Sequence, residues 1–219
     1  MTRAAAGLGM TSRRSHARMI ERLREQGVRD EAVLAALAAV PRHLFVEEAL
    51  ASRAYEDTAL PLGSGQTISQ PFVVARMLEI LREGRAGLGK TLEVGAGSGY
   101  QAAVLAQLTR DVYAVERIAS LLTLAKLNLR AIRQFRVRLI HADGQLGVSE
   151  AAPFDTIVVA AAAQSVPPAL LQQLALDGRM LLPLGSGDQR LTLIERRAEG
   201  YVETRLDDVR FVPLLSGFE

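Results

Sequence analysis

The segment LEVGAGSGY, Leu92 to Tyr100, constrains this chain more than any other. TLEVG has the length and apolar character of a short buried strand, and Gln101 to Leu108 reads as a helix. Between them stand Gly95, Gly97 and Gly99. Glycines at a strand-to-helix turn let the backbone approach a ligand closely, at the carboxyl edge where doubly wound sheets bind. The rest of this half of the chain fits such a sheet. DVYAVE, VRLIHAD, FDTIVVAAA and GRMLLPLG read as further strands. A long helix runs from about Ile118 to Arg133, and a proline-opened helix lies in PPALLQQLA. Strand and helix in alternation predict a mostly parallel sheet covered on both faces. After Gly187, QRLTLIERR and YVETRLDDVRFVPLL, joined near Glu199-Gly200, predict a closing antiparallel hairpin.

The first part of the chain has a different rhythm. Residues 15–50 read as helices, with Asp30 as an N-cap before Val33, Leu34 and Leu37, and Pro41 opening a further short one. Pro61 and Gly63 mark a loop, and Pro71 to Leu81 reads as a helix with proline in its first turn. The expectation is a single α/β domain over 1–219. An N-terminal helical region, 15–83, precedes the sheet and hairpin of 90–219. The hydrophobic fraction, 49%, suffices for a large core.

The glycine loop asks for a ligand. The dinucleotide fingerprint G-x-G-x-x-G/A needs a small residue where Tyr100 stands, so it fails here. A pyrophosphate wants a helix N-terminus packed closely behind it. A ligand without phosphates can instead be met by carboxylates, and Glu93 suits a cationic amino-acid moiety. That favours S-adenosylmethionine over NAD; a glycine turn that is merely tight is the alternative. Glu116 ends the second strand 21 positions after Gly95, where an acid accepts hydrogen bonds from ribose hydroxyls. Asp143-Gly144 ends the third strand, where a carboxylate can accept from an adenine amino group.

Several classes of function are disfavoured. The net charge of +2 comes without a basic cluster interleaved with aromatics, which argues against nucleic acid. With no cysteine there is no disulfide, thiolate metal site or cysteine nucleophile, and a reducing, cytoplasmic compartment fits. No apolar run reaches the roughly 18 residues of a membrane span. The opening, MTRAAAGLGMTSRRSHARM, lacks a strong apolar h-region and reads as a frayed cytoplasmic start, with Met10 as an alternative initiator. His16, His43 and His141 are scattered, and no metal site is expected. Arg42 follows Pro41, where it can pair with an acid, and is given no chemistry. Asp57 is read as structural, with orientation of the loop before Pro71 as its other role. Ala160 to Ala163 either make room for a ligand or pack against a helix. ERRAEGYVETRLDD reads as the wet face of the hairpin.

Five segments together carry a resemblance: MIERLREQGVRDEAVLAALAAVPRHLFV, AYEDTALPLGSGQTISQP, LEVGAGSGYQAAVLA, APFDTIVVAAAAQSVPPALLQQLALDGRMLLPLG and FVPLL. From about Ala17 to Leu215 the chain closely resembles the protein-L-isoaspartate (D-aspartate) O-methyltransferase family. GQTISQP is the most specific of these motifs. The resemblance implies a class I S-adenosylmethionine-dependent methyltransferase fold, Rossmann-like, with an antiparallel C-terminal hairpin and added N-terminal helices. It implies methyl transfer to the free carboxylate of L-isoaspartyl residues in damaged proteins and peptides. The ester then closes to a succinimide, whose hydrolysis partly restores aspartate.

The same resemblance places Ser69 on the family's active-site serine. Thr67, Ile68, Ser69 and Gln70 line the junction of cofactor and substrate, with Thr67 touching both and Ile68 and Gln70 on the cofactor side. Glu93, Gly95, Gly97 and Gly99 match the methionine-side loop, Glu116 the ribose acid, and Asp143 with Gly144 the adenine site. Val212 falls in a segment that offers backbone contacts to substrate. Ala142 replaces a glycine common in the family, and contacts at Val74 and Leu215 are not carried over. A monomer is expected. The alternatives are another class I methyltransferase acting on a small molecule or nucleic acid, and a catalytically silent member.

Overall fold

A computed structural model describes residues 9–219, with side chains from Arg13 onward. The reading of the chain's opening as a frayed start lies outside the described residues. Two helices, α1 (Gly9–Glu25) and α2 (Glu31–Ala39), are followed by 3-10 turns at Arg42–Phe45 and Glu48–Arg53. Strands β1 (Leu60–Gly63) and β2 (Gln66–Ile68) precede α3 (Pro71–Arg82). The sheet half then runs β3 (Thr91–Val94), α4 (Tyr100–Leu108), β4 (Val112–Glu116), α5 (Ala119–Ala131) and β5 (Val137–His141). It continues with β6 (Phe154–Val159), α6 (Pro168–Gln173), β7 (Leu174–Leu184), β8 (Gln189–Arg197) and β9 (Gly200–Val209).

Seven strands form one sheet in the order β5-β4-β3-β6-β7-β8-β9. The strands from β5 to β7 pair in parallel, and β7-β8-β9 pair antiparallel. The chain steps outward from β3 to β5, then returns to lay β6 on the other side of β3. That reversal opens a crevice beyond the carboxyl end of β3, the strand that feeds the glycine loop. All four residues of β3 are buried, as a central parallel strand covered on both faces requires. The far edge strand, β9, is mostly exposed and carries Glu203, Arg205, Asp207 and Asp208. Such charges blunt a free edge.

One core joins the N-terminal helices to α4 through Met19, Leu23, Leu37, Met77, Leu81 and Val104. A second, through Leu92, Phe154, Ile157, Leu170 and Leu182, covers the other face. Asp30 caps α2 as expected, accepting from the Ala32 and Val33 N–H groups at 2.9 and 3.1 Å. Arg82 Nε meets its other oxygen at 2.7 Å.

Three local expectations are corrected. The loop at Pro61 and Gly63 is a hairpin, in which Leu60 faces Ile68 across the ribbon. It turns at Ser64 and Gly65, both at positive φ (49° and 67°), the backbone that a tight hairpin turn needs. The helix in PPALLQQLA stops at Gln173, because fully buried Leu174 extends to pair with Phe154 of β6. FVPLL lies outside the last strand, which ends at Val209. Pro213 cannot donate to a ladder, so the segment leaves the sheet edge. It crosses back to the segment that follows β6, where Ala162 N–H donates to Val212 O at 2.8 Å and Leu214 N–H to Ala162 O at 2.7 Å.

Candidate active site

The crevice is a cleft enclosing about 850 Å³, open solvent at its mouth included. Its walls come mainly from the glycine loop, the strand ends at Glu116 and Ala160, the arm Gln66–Ser69, and the return segment Val212–Leu215.

Glu93 sits at the floor, 0% exposed, with neither carboxyl oxygen hydrogen-bonded. Burial first, and the Glu116 charge second, push its carboxyl well above the usual carboxylate range. Neighbouring Gln101 opposes the shift without completing a hydrogen bond; its own Nε2 is also unpartnered. A buried carboxyl with no partner is costly and calls for one. A cationic amino group in the cleft is the partner it lacks, so this orphaned acid fits the amino-acid end of S-adenosylmethionine.

The glycine loop suits the same ligand. Gly95 and Gly97 have φ of 89° and 54°, in the region that favours glycine. Both line the cleft, with Ser98 beside them. Gly99 does other work. A Cβ there would stand 3.2 Å from the Ala125 Cβ, so this glycine lets α4 pack on α5 and lies off the cleft wall. Glu116 shapes the loop: its Oε2 accepts from Gly97 N–H at 2.8 Å and its Oε1 from Ile118 N–H at 2.9 Å. Each oxygen keeps a further lone pair for a hydroxyl donor.

Beyond β5 Gly144 lines the cleft, and a Cβ there would fall 2.5 Å from Val94 Cγ1. Asp143 stands behind that wall. Its Oδ1 accepts from Gln145 N–H at 2.8 Å and its Oδ2 from Gly217 N–H at 2.6 Å. Residues 217–219 are strapped on by Arg117, whose Nε donates to Gly217 O and whose Nη1 lies 2.9 Å from a Glu219 carboxylate oxygen.

The arm Gln66–Ser69 is held from outside the seven-stranded sheet. Thr67, Ile68 and Ser69 line the cleft. Gln70 turns away, donating Nε2 to Asp57 Oδ2 at 3.0 Å. The other Asp57 oxygen accepts from Phe72 N–H at 2.9 Å, capping α3 in place of Gln70. Orientation of the loop is thus the role the contacts of Asp57 describe. Arg42 departs from expectation: among the described residues it makes no ion pair, and it donates to the carbonyls of Ala54 and Ser69.

Sequence reasoning passed over Leu62, Tyr100, Gln101, Arg117 and Ile118, all in the cleft wall. Tyr100 was legible only as the residue that spoils the dinucleotide fingerprint. Burial pushes its hydroxyl up to about 12, against the pull of the Arg42 charge. Val74 and Leu215, set aside above, also stand in the wall. Ala160 and Ala161 give the cleft room, whereas Ala162 and Ala163 bridge to Pro213 and Leu184. None of the three histidines lines it.

A parallel sheet with this switch point, an acid-flanked glycine loop and a second acid at the next strand end defines a class I S-adenosylmethionine-dependent methyltransferase. Comparison with known proteins is more specific. The family model for protein-L-isoaspartate(D-aspartate) O-methyltransferase matches residues 14–219, and the chain belongs to that family. It is 74% identical over 211 residues to the protein-L-isoaspartate O-methyltransferase of Dechloromonas aromatica (strain RCB), covering 96% of this chain and 98% of that one. It is 62% identical over 206 residues to the protein of the same name from Azoarcus sp. (strain BH72), covering 94% and 95%. Among solved structures, a protein-L-isoaspartate O-methyltransferase superposes with a TM-score of 0.82 at 28% identity, over 90% of this chain and 65% of that one. A putative protein-L-isoaspartate O-methyltransferase from Plasmodium falciparum, in complex with S-adenosyl-L-homocysteine, superposes with a TM-score of 0.77 at 26% identity, over 91% and 98%. Membership makes this chain an S-adenosylmethionine-dependent protein-L-isoaspartate O-methyltransferase.

Proposed function

We propose that this cleft methylates the free carboxylate of L-isoaspartyl residues in damaged proteins and peptides, with Ser69 as the residue that positions the acceptor. The observation that carries the reading is the convergence of two elements on one cleft: the arm with Thr67 and Ser69 and the loop with Gly95 and Gly97 both line it. S-adenosylmethionine, when bound, supplies a methyl group on a sulfonium. Glu93 would hold its amino group, Glu116 its ribose hydroxyls, and Gly144 would leave room for the adenine. Asp143 reaches the adenine amino group only by sharing oxygens already taken by Gln145 and Gly217.

The acceptor carboxylate has a pKa near 4 and is ionised at neutral pH, so no general base is needed. What remains for the protein is to orient and partly desolvate the acceptor, and good orientation alone is worth roughly 7–11 kcal/mol of barrier. In this reading the Ser69 hydroxyl donates to one carboxylate oxygen and leaves the other free to attack. A C–O bond forms, the S–CH3 bond breaks, and no proton moves. Thr67, exposed at the cleft mouth, and the backbone at Val212 would receive the acceptor chain.

A cytoplasmic monomer belongs to the same proposal. The absence of cysteine favours the compartment, and no helix among the described residues is long and apolar enough to cross a membrane. Light scattering at the mass of one chain checks the monomer. The deciding assay is transfer of labelled methyl to an isoaspartyl peptide and to the same peptide with normal aspartyl. Label on the first alone is expected; equal label on both, or none, overturns the reading.

A further inference from the structure

Arg42 is the largest fully buried side chain of the described core, at 0% exposure. It follows α2 in the short turn Arg42–Phe45. A guanidinium stays charged inside a protein, and a buried charge without an opposite partner needs a reason. No carboxylate among the described residues forms an ion pair with it. Its Nε donates to Ala54 O at 2.8 Å and its Nη2 to Ser69 O at 2.7 Å. Its Cζ lies 4.8 Å from the centre of the Tyr100 ring, a cation over an aromatic face. Its Nη1 is buried with no hydrogen-bond partner.

The Ser69 contact is the one that bears on chemistry. Strand β2 ends at Ile68, so Ser69 is beyond the last ladder pair. Helix α3 begins at Pro71, and Gln70 is the first residue whose carbonyl accepts from it, through Val74 N–H. The Ser69 carbonyl therefore falls in the gap between ladder and helix, and Arg42 is the donor that fixes it. On the far side Asp57 grips Gln70 and Phe72. Tyr100, at the start of α4 and in the cleft wall, sets the guanidinium from the cofactor side.

We propose that Arg42 is a positioning residue for the methyl-transfer step, acting through Ser69. It holds the Ser69 peptide so that the hydroxyl faces the acceptor carboxylate, and it ties that peptide to the ring that borders the cofactor loop. Arginine is required because its rigid fork spans two carbonyls and stacks at once; a lysine ammonium reaches one of them and does not stack. The proposal rests on the reading of Ser69 as the acceptor's positioner.

The test is a double-mutant cycle of Arg42→Lys with Ser69→Ala. Rates are counted per site that binds S-adenosylhomocysteine, so that misfolded protein does not enter. Arg42→Lys alone is expected to lower kcat by about 10- to 100-fold, the scale of a small misplacement at the reacting centre, while cofactor affinity holds within a few-fold. In the Ser69→Ala background the same change is expected to alter kcat by less than about twofold, because coupled residues are not additive. Equal losses in both backgrounds overturn the role of Arg42 and leave that of Ser69 standing. A silent Ser69→Ala overturns both. Arg42→Met, which fills similar volume without the buried charge, must show the same dependence on Ser69. If neither Arg42 variant binds S-adenosylhomocysteine, the arginine serves the fold and the proposal falls.

Discussion

The two walls of the cleft are built by different means. The cofactor wall is backbone: β3, β4 and β6 end together, and the positive φ of Gly95 and Gly97 bends the chain where the strand order reverses. Its side chains are short-range helpers, as when Glu116 ties Gly97 and Ile118. The substrate wall has no sheet beneath it. Its arm is a two-stranded ribbon, too small to be stable alone. Leu60, Leu62 and Ile68 anchor it in the core, and its polar end is held by side chains from afar: Arg42 on Ser69, Asp57 on Gln70 and Phe72, and Gln26 on Asp57 at 2.7 Å. A wall made of strand ends is pre-formed by the core. A segment aimed by long-range hydrogen bonds, as Ser69 and Gln70 are, can lose its aim while the core beneath stays intact.

Mutations on the two sides should therefore separate cofactor affinity from turnover. The largest expected effect is on the cofactor side. Glu116→Ala removes a charged acceptor from two backbone N–H groups and from the ribose position. Hydrogen bonds to charged groups are worth about 1.5–3 kcal/mol each, so cofactor affinity is expected to fall by about 100-fold in calorimetry. On the substrate side, Asp57→Ala frees Gln70 and uncaps α3, which costs about 1–2 kcal/mol of stability. Turnover should fall with cofactor affinity nearly unchanged; a loss of affinity instead would merge the two walls into one unit.

Glu93 gives a pH signature that belongs to the cofactor side alone. Its carboxyl is raised in the native protein, while in the unfolded chain it titrates near 4.5. Above that pH the unfolded state has lost a proton that the native state keeps, so stability falls as pH rises until the native carboxyl ionises, and then levels. Glu93→Gln should flatten this slope in melting curves of the ligand-free protein and weaken cofactor binding. An unchanged slope would place the Glu93 titration in its ordinary range. The smallest effect is expected at Asp30, far from both walls. Asp30→Ala should cost about 1–2 kcal/mol through the lost cap of α2 and the lost ion pair with Arg82, with kcat unchanged.

The same contrast explains what was legible in the sequence. Short apolar runs and glycine spacing encode a parallel sheet directly, so β3, the glycine loop and the acids at 93 and 116 were readable without a structure. The ribbon β1–β2 was not: Leu60 and Leu62 alternate with Pro61 and Gly63, but four residues that include a proline and a glycine are too short a run to tell from a loop, and only the φ values of Ser64 and Gly65 reveal a turn. Arg42 was given an acid for a partner and no chemistry, because burial beside two distant carbonyls leaves no local pattern. The end of α6 escaped for the opposite reason. Leu174 continues a helical pattern, and burial against β6 overrides it. Ser69 itself was found by its motif, and its support was not, since the motif is contiguous and the support lies 12 and 27 residues away.

The most direct test of the two-wall account is Ser69→Ala, with S-adenosylmethionine affinity by calorimetry and methyl transfer to an isoaspartyl peptide measured on the same preparation. The account predicts a fall in kcat of about 10- to 100-fold, the scale of a misoriented acceptor, with cofactor affinity within a few-fold of the parent. A collapse of cofactor affinity with kcat preserved would contradict it, because Ser69 would then belong to the cofactor wall.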